Sequence, residues 1–112
     1  MRKLLVVDDN IDFLQRLSAL LQTDFEVYQA TGLVEAWDVF NKASIDCACS
    51  DYNLHDGTGI DLLKKLRKEK VNCPFLLMSG NDDRHLTDMA ERYDAMFCCK
   101  TDIELLQIIR TL

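Results

Sequence analysis

Cys47-Ala48-Cys49-Ser50-Asp51-Tyr52-Asn53-Leu54-His55-Asp56-Gly57-Thr58-Gly59 begins as a short apolar run, stops at one acidic residue and breaks into a turn. An acid placed where a buried strand runs out, followed by glycines and then an amphipathic segment, lies on a loop held between rigid elements, where sites tend to be built. Asp51 is the residue to explain. The pattern on either side of it decides both the fold and what else converges there.

Upstream, Lys3-Leu4-Leu5-Val6-Val7 is an unbroken apolar run, as expected for a strand covered on both faces. It ends at Asp8-Asp9-Asn10, and from Ile11 the period changes. Leu14, Leu17 and Leu21, with Phe13 and Leu20 alongside, make the apolar stripe of a helix that Asn10 is placed to cap. Phe25 to Tyr28 alternates and reads as a strand nearer the sheet edge. Thr31 is placed to cap a second helix with the stripe Leu33, Ala36, Trp37 and Phe40, and the strand from Ile45 to Ser50 then delivers Asp51.

Downstream, Ile60, Leu63 and Leu66, with Leu62 beside them, mark a third helix. Pro74 can only open a strand, which Phe75 to Met78 continues as far as Ser79-Gly80. Asn81 precedes a shorter stripe of Leu86, Met89, Ala90 and Tyr93, and Ala95 to Cys99 is the last strand, ending at Lys100. Thr101-Asp102-Ile103-Glu104 has the form of a capping box opening a helix through Leu105, Leu106, Ile108 and Ile109. Five strands alternating with five helices demand an α/β, doubly wound parallel sheet with right-handed crossovers. At 112 residues and 48% apolar composition the expectation is one domain, residues 1–112, with one core and no second module.

The totals exclude several roles. A net charge of −6 argues against this domain gripping nucleic acid, which needs clustered Lys and Arg. The one basic run, Lys64 to Lys70, falls on the third helix near its C-terminus and reads as a solvated face. No apolar stretch approaches the roughly 18 residues a membrane span needs, so the expectation is a soluble, cytoplasmic protein. Five cysteines, an odd number without Cys-x2-Cys spacing, read as small buried hydrophobes rather than a disulfide framework or zinc site.

In open α/β sheets the functional crevice lies beyond the carboxyl ends of the strands. The residues at those ends are Asp8 and Asp9, Asp51, Ser79 and Lys100. Three clustered carboxylates raise one another's pKa unless a cation neutralises them, and Mg2+ suits a shallow site with few protein ligands. A lysine and a hydroxyl opposite would engage an oxyanion bound to that ion, and phosphoryl transfer needs these parts.

With these residues in order, the chain resembles the receiver domain of two-component response regulators of the chemotaxis-regulator kind. The matching stretches are Leu5-Val6-Val7-Asp8-Asp9, Ser50-Asp51-Tyr52-Asn53-Leu54 with Gly59 after it, Leu77-Met78-Ser79-Gly80 and Phe97-Cys98-Cys99-Lys100. The resemblance implies a flavodoxin-like sheet of strand order 2-1-3-4-5. It implies that Asp51 is the phosphoacceptor, that Asp9 and Asp51 with the Asn53 backbone carbonyl ligate Mg2+, and that Asp8 acts mainly through a bound water. By the same resemblance Lys100 contacts the phosphoryl oxygens, Ser79 moves to hydrogen-bond one of them, and Phe97 turns inward as the switch. The implied partners are a sensor histidine kinase or phosphotransfer protein and a downstream protein or effector domain, with a homodimer through the fourth-helix to fifth-helix face as a further option. The implied activity is signalling, with self-catalysed phosphorylation and dephosphorylation, rather than turnover of a separate substrate.

Thr101 stands where the family usually has proline, so the Lys100–Thr101 bond is expected to be trans, a non-proline cis bond costing about 2.5 to 4 kcal/mol. His55 replaces the usual proline four residues after Asp51, and Phe97 lacks the hydroxyl of the tyrosine often found at its position. One alternative is a phosphorylation-independent protein-binding module of the same fold. Another is a haloacid-dehalogenase-type hydrolase, which needs a second Asp two residues after its nucleophile where this chain offers Asp8-Asp9-Asn10.

Overall fold

Strand and helix alternate along the whole chain in a computed structural model that describes residues 1–112. In order they are β1 (Lys3–Val7), α1 (Ile11–Leu21), β2 (Glu26–Ala30), α2 (Leu33–Lys42), β3 (Cys47–Asp51), α3 (Gly59–Lys68), β4 (Phe75–Ser79), α4 (Arg84–Arg92), β5 (Met96–Cys99) and α5 (Leu105–Arg110). The strands form one parallel sheet in the order β2-β1-β3-β4-β5, the doubly wound arrangement expected from the alternation. A two-residue antiparallel ribbon, Asn53–Leu54 against Gly57–Thr58, lies between β3 and α3 and has no counterpart in the sequence pattern.

Side chains of a strand alternate between faces, and here each face feeds its own core. Leu4, Val6, Cys47, Cys49, Leu76, Met78 and Cys98 pack against Leu14, Leu17 and Leu21 of α1 and Leu105 and Ile109 of α5. Leu5, Val7, Ala48, Phe75 and Leu77 pack against Ala36 of α2, Ile60, Leu63 and Leu66 of α3, and Leu86 and Ala90 of α4. Cys47 and Cys49 thus share a face, and all five cysteines are free thiols. Burial pushes the Cys47 thiol up to about 11.

The helix starts show which local signals act. Asn10 caps α1 by accepting from the Phe13 N–H at 3.1 Å. Thr58 and Asp61 form a capping box at α3, and Asp83 caps α4 two residues beyond Asn81. Two expected caps do not form. Thr31 leaves the cap of α2 to Gly32, and the Leu33 and Val34 N–H groups donate instead to Asp56, at 2.7 and 3.1 Å, a carboxylate brought in from the β3–α3 turn. The capping box at Thr101 is also absent. Asp102 accepts from the Glu104 N–H at 2.8 Å, so the nearer carboxylate takes the free amide, and α5 starts only at Leu105.

Two apolar and basic assignments change as well. Leu20 lies outside the α1 stripe and is 53% exposed, because the register that buries Leu14, Leu17 and Leu21 turns it to solvent. The basic run on α3 is not all solvated. Arg67 donates to the backbone carbonyls of Tyr93 (2.7 Å), Val71 (2.8 Å), Cys73 (2.9 Å) and Asp94 (3.1 Å), and the Lys65 ammonium stands 4.5 Å from the Trp37 ring centroid. Asp94, in the left-handed region at φ 55°, ends α4 under this guanidinium.

Arg67→Ala is expected to lower the unfolding free energy by about 2–3 kcal/mol, since it strips four carbonyls of a charged donor. The exposed neighbour Lys68→Ala should stay within about 0.5 kcal/mol, with both read from urea denaturation midpoints.

Candidate functional site

Parallel pairing brings the ends of β1, β3, β4 and β5 to one rim, and hydrogen bonds continue the ladders past the strands. The Asp8 N–H donates to Ala30 O at 3.0 Å, Tyr52 N–H to Met78 O at 2.7 Å, and Lys100 N–H to Ser79 O at 2.7 Å. Asp51 is the last residue of β3 and pairs in register with Met78, as Ser79 does with Cys99. The side chains at the rim are thus placed by backbone, not by flexible loops.

Asp8 is fully buried, with Oδ1 accepting from the Asn10 N–H at 2.9 Å. Its Oδ2 has no aligned hydrogen-bond donor and is held by charge, with the Lys100 ammonium 2.6 Å away. The same ammonium lies 3.4 Å from Asp51 Oδ2 and 4.4 Å from the centroid of the Phe13 ring. Lys100 therefore bridges the two buried carboxylates with an aromatic face beneath it. Asp9 is exposed, and Asp8, Asp9 and Asp51 each offer a ligand oxygen within 4.8 Å of the others.

Asp51 is 8% exposed, and its pKa is raised from the ordinary 3.8 to about 6. Burial is the main cause and the adjacent Asp8 charge the next; the Lys100 charge, its hydrogen bond and the Tyr52 backbone pull it partly back. A cation among these carboxylates would remove that penalty. The donor set fits a hard divalent ion such as Mg2+: oxygen ligands from three carboxylates, one with a buried oxygen lacking an aligned donor.

The remaining expected residues lie around this cluster. Ser79 is 8% exposed at the end of β4, and its hydroxyl accepts from the Asn81 N–H at 3.3 Å. Asn53 is exposed in the ribbon, paired with Thr58. Phe97 is half-buried on β5 against the α2–α4 core, and it borders a surface cavity of about 330 Å3 together with Thr87, Cys99 and Thr101. The Lys100–Thr101 bond is trans. His55, assigned no partner in the sequence, has its Nε2 4.0 Å from Asp56.

The part that three residues play at the site is seen only in the structure. Phe13 looked like part of an apolar stripe, but it also underlies Lys100. Gly59 lets α3 begin against the site, since a Cβ there would collide with the Asp51 backbone oxygen and lie 2.8 Å from Leu77 Cδ1. Asp56 ties the turn to α2, and no local pattern points to it because its partners lie 22 and 23 residues away.

The family model for the response regulator receiver domain matches residues 4–110. The chain is 34% identical over 84 residues to the cell cycle transcriptional regulator CtrA of Caulobacter vibrioides, covering 74% of this chain and 36% of that protein. It is 31% identical over 80 residues to the photosynthetic apparatus regulatory protein RegA of Cereibacter sphaeroides, covering 70% of this chain and 44% of that one. The chain thus spans less than half the length of these relatives. Among solved structures, a CheY-like receiver domain protein from Methanospirillum hungatei superposes with a TM-score of 0.88 at 22% identity, covering 99% of this chain and 92% of the other, a likeness of fold.

Because the folded-state pKa of Asp51 is raised, the folded protein favours its protonated form; the associated stability is full below about pH 4 and lost as pH rises through about 6. Asp51→Asn is expected to stabilise the metal-free protein at pH 7 by about 1–2 kcal/mol, the full shift being discounted for partial solvation, and to flatten the stability profile between pH 4 and 7. Thermal unfolding in EDTA across that range checks both.

Proposed function

The chain belongs to the response regulator receiver domain family, and on that premise we propose that Asp51 accepts a phosphoryl group and that the resulting acyl phosphate switches the α4–β5–α5 surface. The observation that carries the reading is Lys100 bridging Asp8 and Asp51, at 2.6 and 3.4 Å, beside the exposed Asp9. A buried carboxylate that can act as a nucleophile thus lies next to a fixed cation and two further acids.

An Asp51 oxygen attacks the phosphorus of a phosphohistidine on a partner kinase or phosphotransfer protein. The new O–P bond forms as the N–P bond breaks, and the imidazole leaves with the electron pair. Asp8, Asp9, Asp51 and the Asn53 backbone carbonyl would hold Mg2+, which supplies neutralisation of charge on the transferring group. Lys100 already lies within reach of Asp51, so its ammonium passes to the phosphoryl oxygens without a long excursion. Ser79 leaves the Asn81 N–H and donates its hydroxyl to a phosphoryl oxygen, and Phe97, packed on the neighbouring core, turns inward after it. With no hydroxyl on Phe97, this last step is one of packing.

The output is contact with a downstream protein or an effector domain, as the regulatory names of CtrA and RegA suggest for those relatives. A homodimer through α4 and α5 is one form that contact takes. A phosphorylation-independent binding module of the same fold is the competing reading, and Thr101 in place of the usual proline is the residue that favours it.

Incubation with acetyl phosphate and Mg2+ is expected to add one phosphoryl mass, lost in EDTA and in Asp51→Asn. Lys100→Ala should bind Mg2+ yet slow phosphorylation by at least about tenfold, as for loss of one preorganised charge contact. An unmodified wild type, or an adduct that survives Asp51→Asn, sinks the proposal; partner binding indifferent to both Asp51→Asn and Mg2+ establishes the competing reading.

A further inference from the structure

The turn after Asp51 is fastened to a helix that belongs to another part of the chain. Asp56 Oδ1 accepts from the Leu33 N–H at 2.7 Å and Oδ2 from the Val34 N–H at 3.1 Å, so both carboxylate oxygens are committed to the first turn of α2. These backbone bonds hold the Asp56 pKa below the usual carboxylate value. α2 itself has no side-chain cap of its own at Gly32. From the other side, Gly32 leaves room for the contact, because a Cβ there would lie 2.8 Å from Asp56 Oδ1 and 3.0 Å from His55 Cδ2. The fit is mutual: an acid on the turn supplies the missing cap, and a residue without a side chain on the helix admits it.

The anchored segment is short and carries the site. Asn53–Leu54 pairs with Gly57–Thr58, leaving His55 and Asp56 at the tip of the ribbon. Its base is closed by the Gly59 N–H donating to Tyr52 O at 2.8 Å and by the Thr58–Asp61 capping box. Asn53 stands on one strand of this ribbon, between the fixed base at Tyr52 and the anchored tip at Asp56. Fastening both ends restricts the backbone of everything between them.

We infer that Asp56 is a positioning residue for the metal site: by anchoring the ribbon to α2 it holds the Asn53 backbone carbonyl where the cation is bound. The metal role of Asn53 rests on the function proposed above, whereas the anchoring of the ribbon does not. The effect is one of outer support, since Asp56 spends both oxygens on α2 amides.

The test compares Asp56→Ala, Asp56→Asn and Gly32→Ala with wild type, using Mg2+ affinity from thermal-shift titration and hydrogen exchange of residues 52–59. Asp56→Ala is expected to weaken Mg2+ about tenfold, as loss of outer-shell support does, and to speed exchange of the Gly59 amide. Asp56→Asn keeps a carbonyl oxygen for the Leu33 N–H and should recover most of both. Gly32→Ala should reproduce the loss from the opposite side, which keeps the inference testable if Asp56→Ala folds poorly. Affinity within about twofold of wild type in Asp56→Ala and Gly32→Ala overturns the inference, and so does an equal loss in Asp56→Asn, which would assign the effect to charge alone. If wild type binds no Mg2+, the proposed function fails and the metal-positioning role fails with it, while the exchange data still decide whether Asp56 orders the ribbon.

Discussion

Two carboxylates buried side by side at the end of a sheet repel each other and lose hydration, so the rim of this protein depends on the one cation between them. Lys100 meets Asp8 at 2.6 Å and Asp51 at 3.4 Å. It does not fully offset the cost of burying them: the Asp51 pKa stays raised to about 6, first by burial and next by the Asp8 charge, against the pull of Lys100. A divalent cation among the three carboxylates would offset that cost. In the proposed function such a cation would also leave the lysine free to meet a phosphoryl oxygen.

The rest of the architecture keeps those charges in place. The two cores on either face lock the register of the strands, and the strand-end hydrogen bonds to Ala30, Met78 and Ser79 carry that register one residue further, to Asp8, Tyr52 and Lys100. The chain around Lys100 has a second tie. Cys99 Sγ lies 3.6 Å from Gly80 O and 3.2 Å from Thr101 Oγ1, so the residues on both sides of the lysine are joined to each other and to the end of β4. A trans Lys100–Thr101 bond is compatible with an ammonium seated on both acids. With Thr101 after it, the Lys100 ammonium thus still reaches both acids.

What was legible in the sequence follows from the range of the forces involved. Period and strand ends gave the five strands, the five helices and the rim residues, because burial on one face or two leaves its mark on consecutive residues. Asn10 was readable as a cap because its acceptor reaches an amide three residues away. Thr31 and Thr101 matched the same kind of local rule and failed, each because a carboxylate, Asp56 or Asp102, was better placed for the free amides. Arg67 read as one charge among several on an exposed helix, yet its guanidinium serves carbonyls up to 27 residues away. Long-range hydrogen bonds between a side chain and distant backbone leave no periodic trace.

The same distinction bears on the turn after Asp51. A proline four residues after the acid would stiffen the backbone through its own ring, a local device visible in any sequence. His55 supplies no such restraint, and Gly57 and Gly59 add freedom that the folded chain must give up. Order is imposed from outside instead. Tyr52 is tied to β4, Gly59 to Tyr52, Thr58 to Asp61, and Asp56 to the start of α2. Restraint by partners differs in kind from restraint by a ring, because each tie can break singly and each couples the turn to another element. In this chain the turn after Asp51 is therefore joined to α2 as well as to β4, and under the proposed function a change in the metal or phosphoryl state of Asp51 would have a path to the α2 end of the molecule in addition to the α4–β5–α5 face.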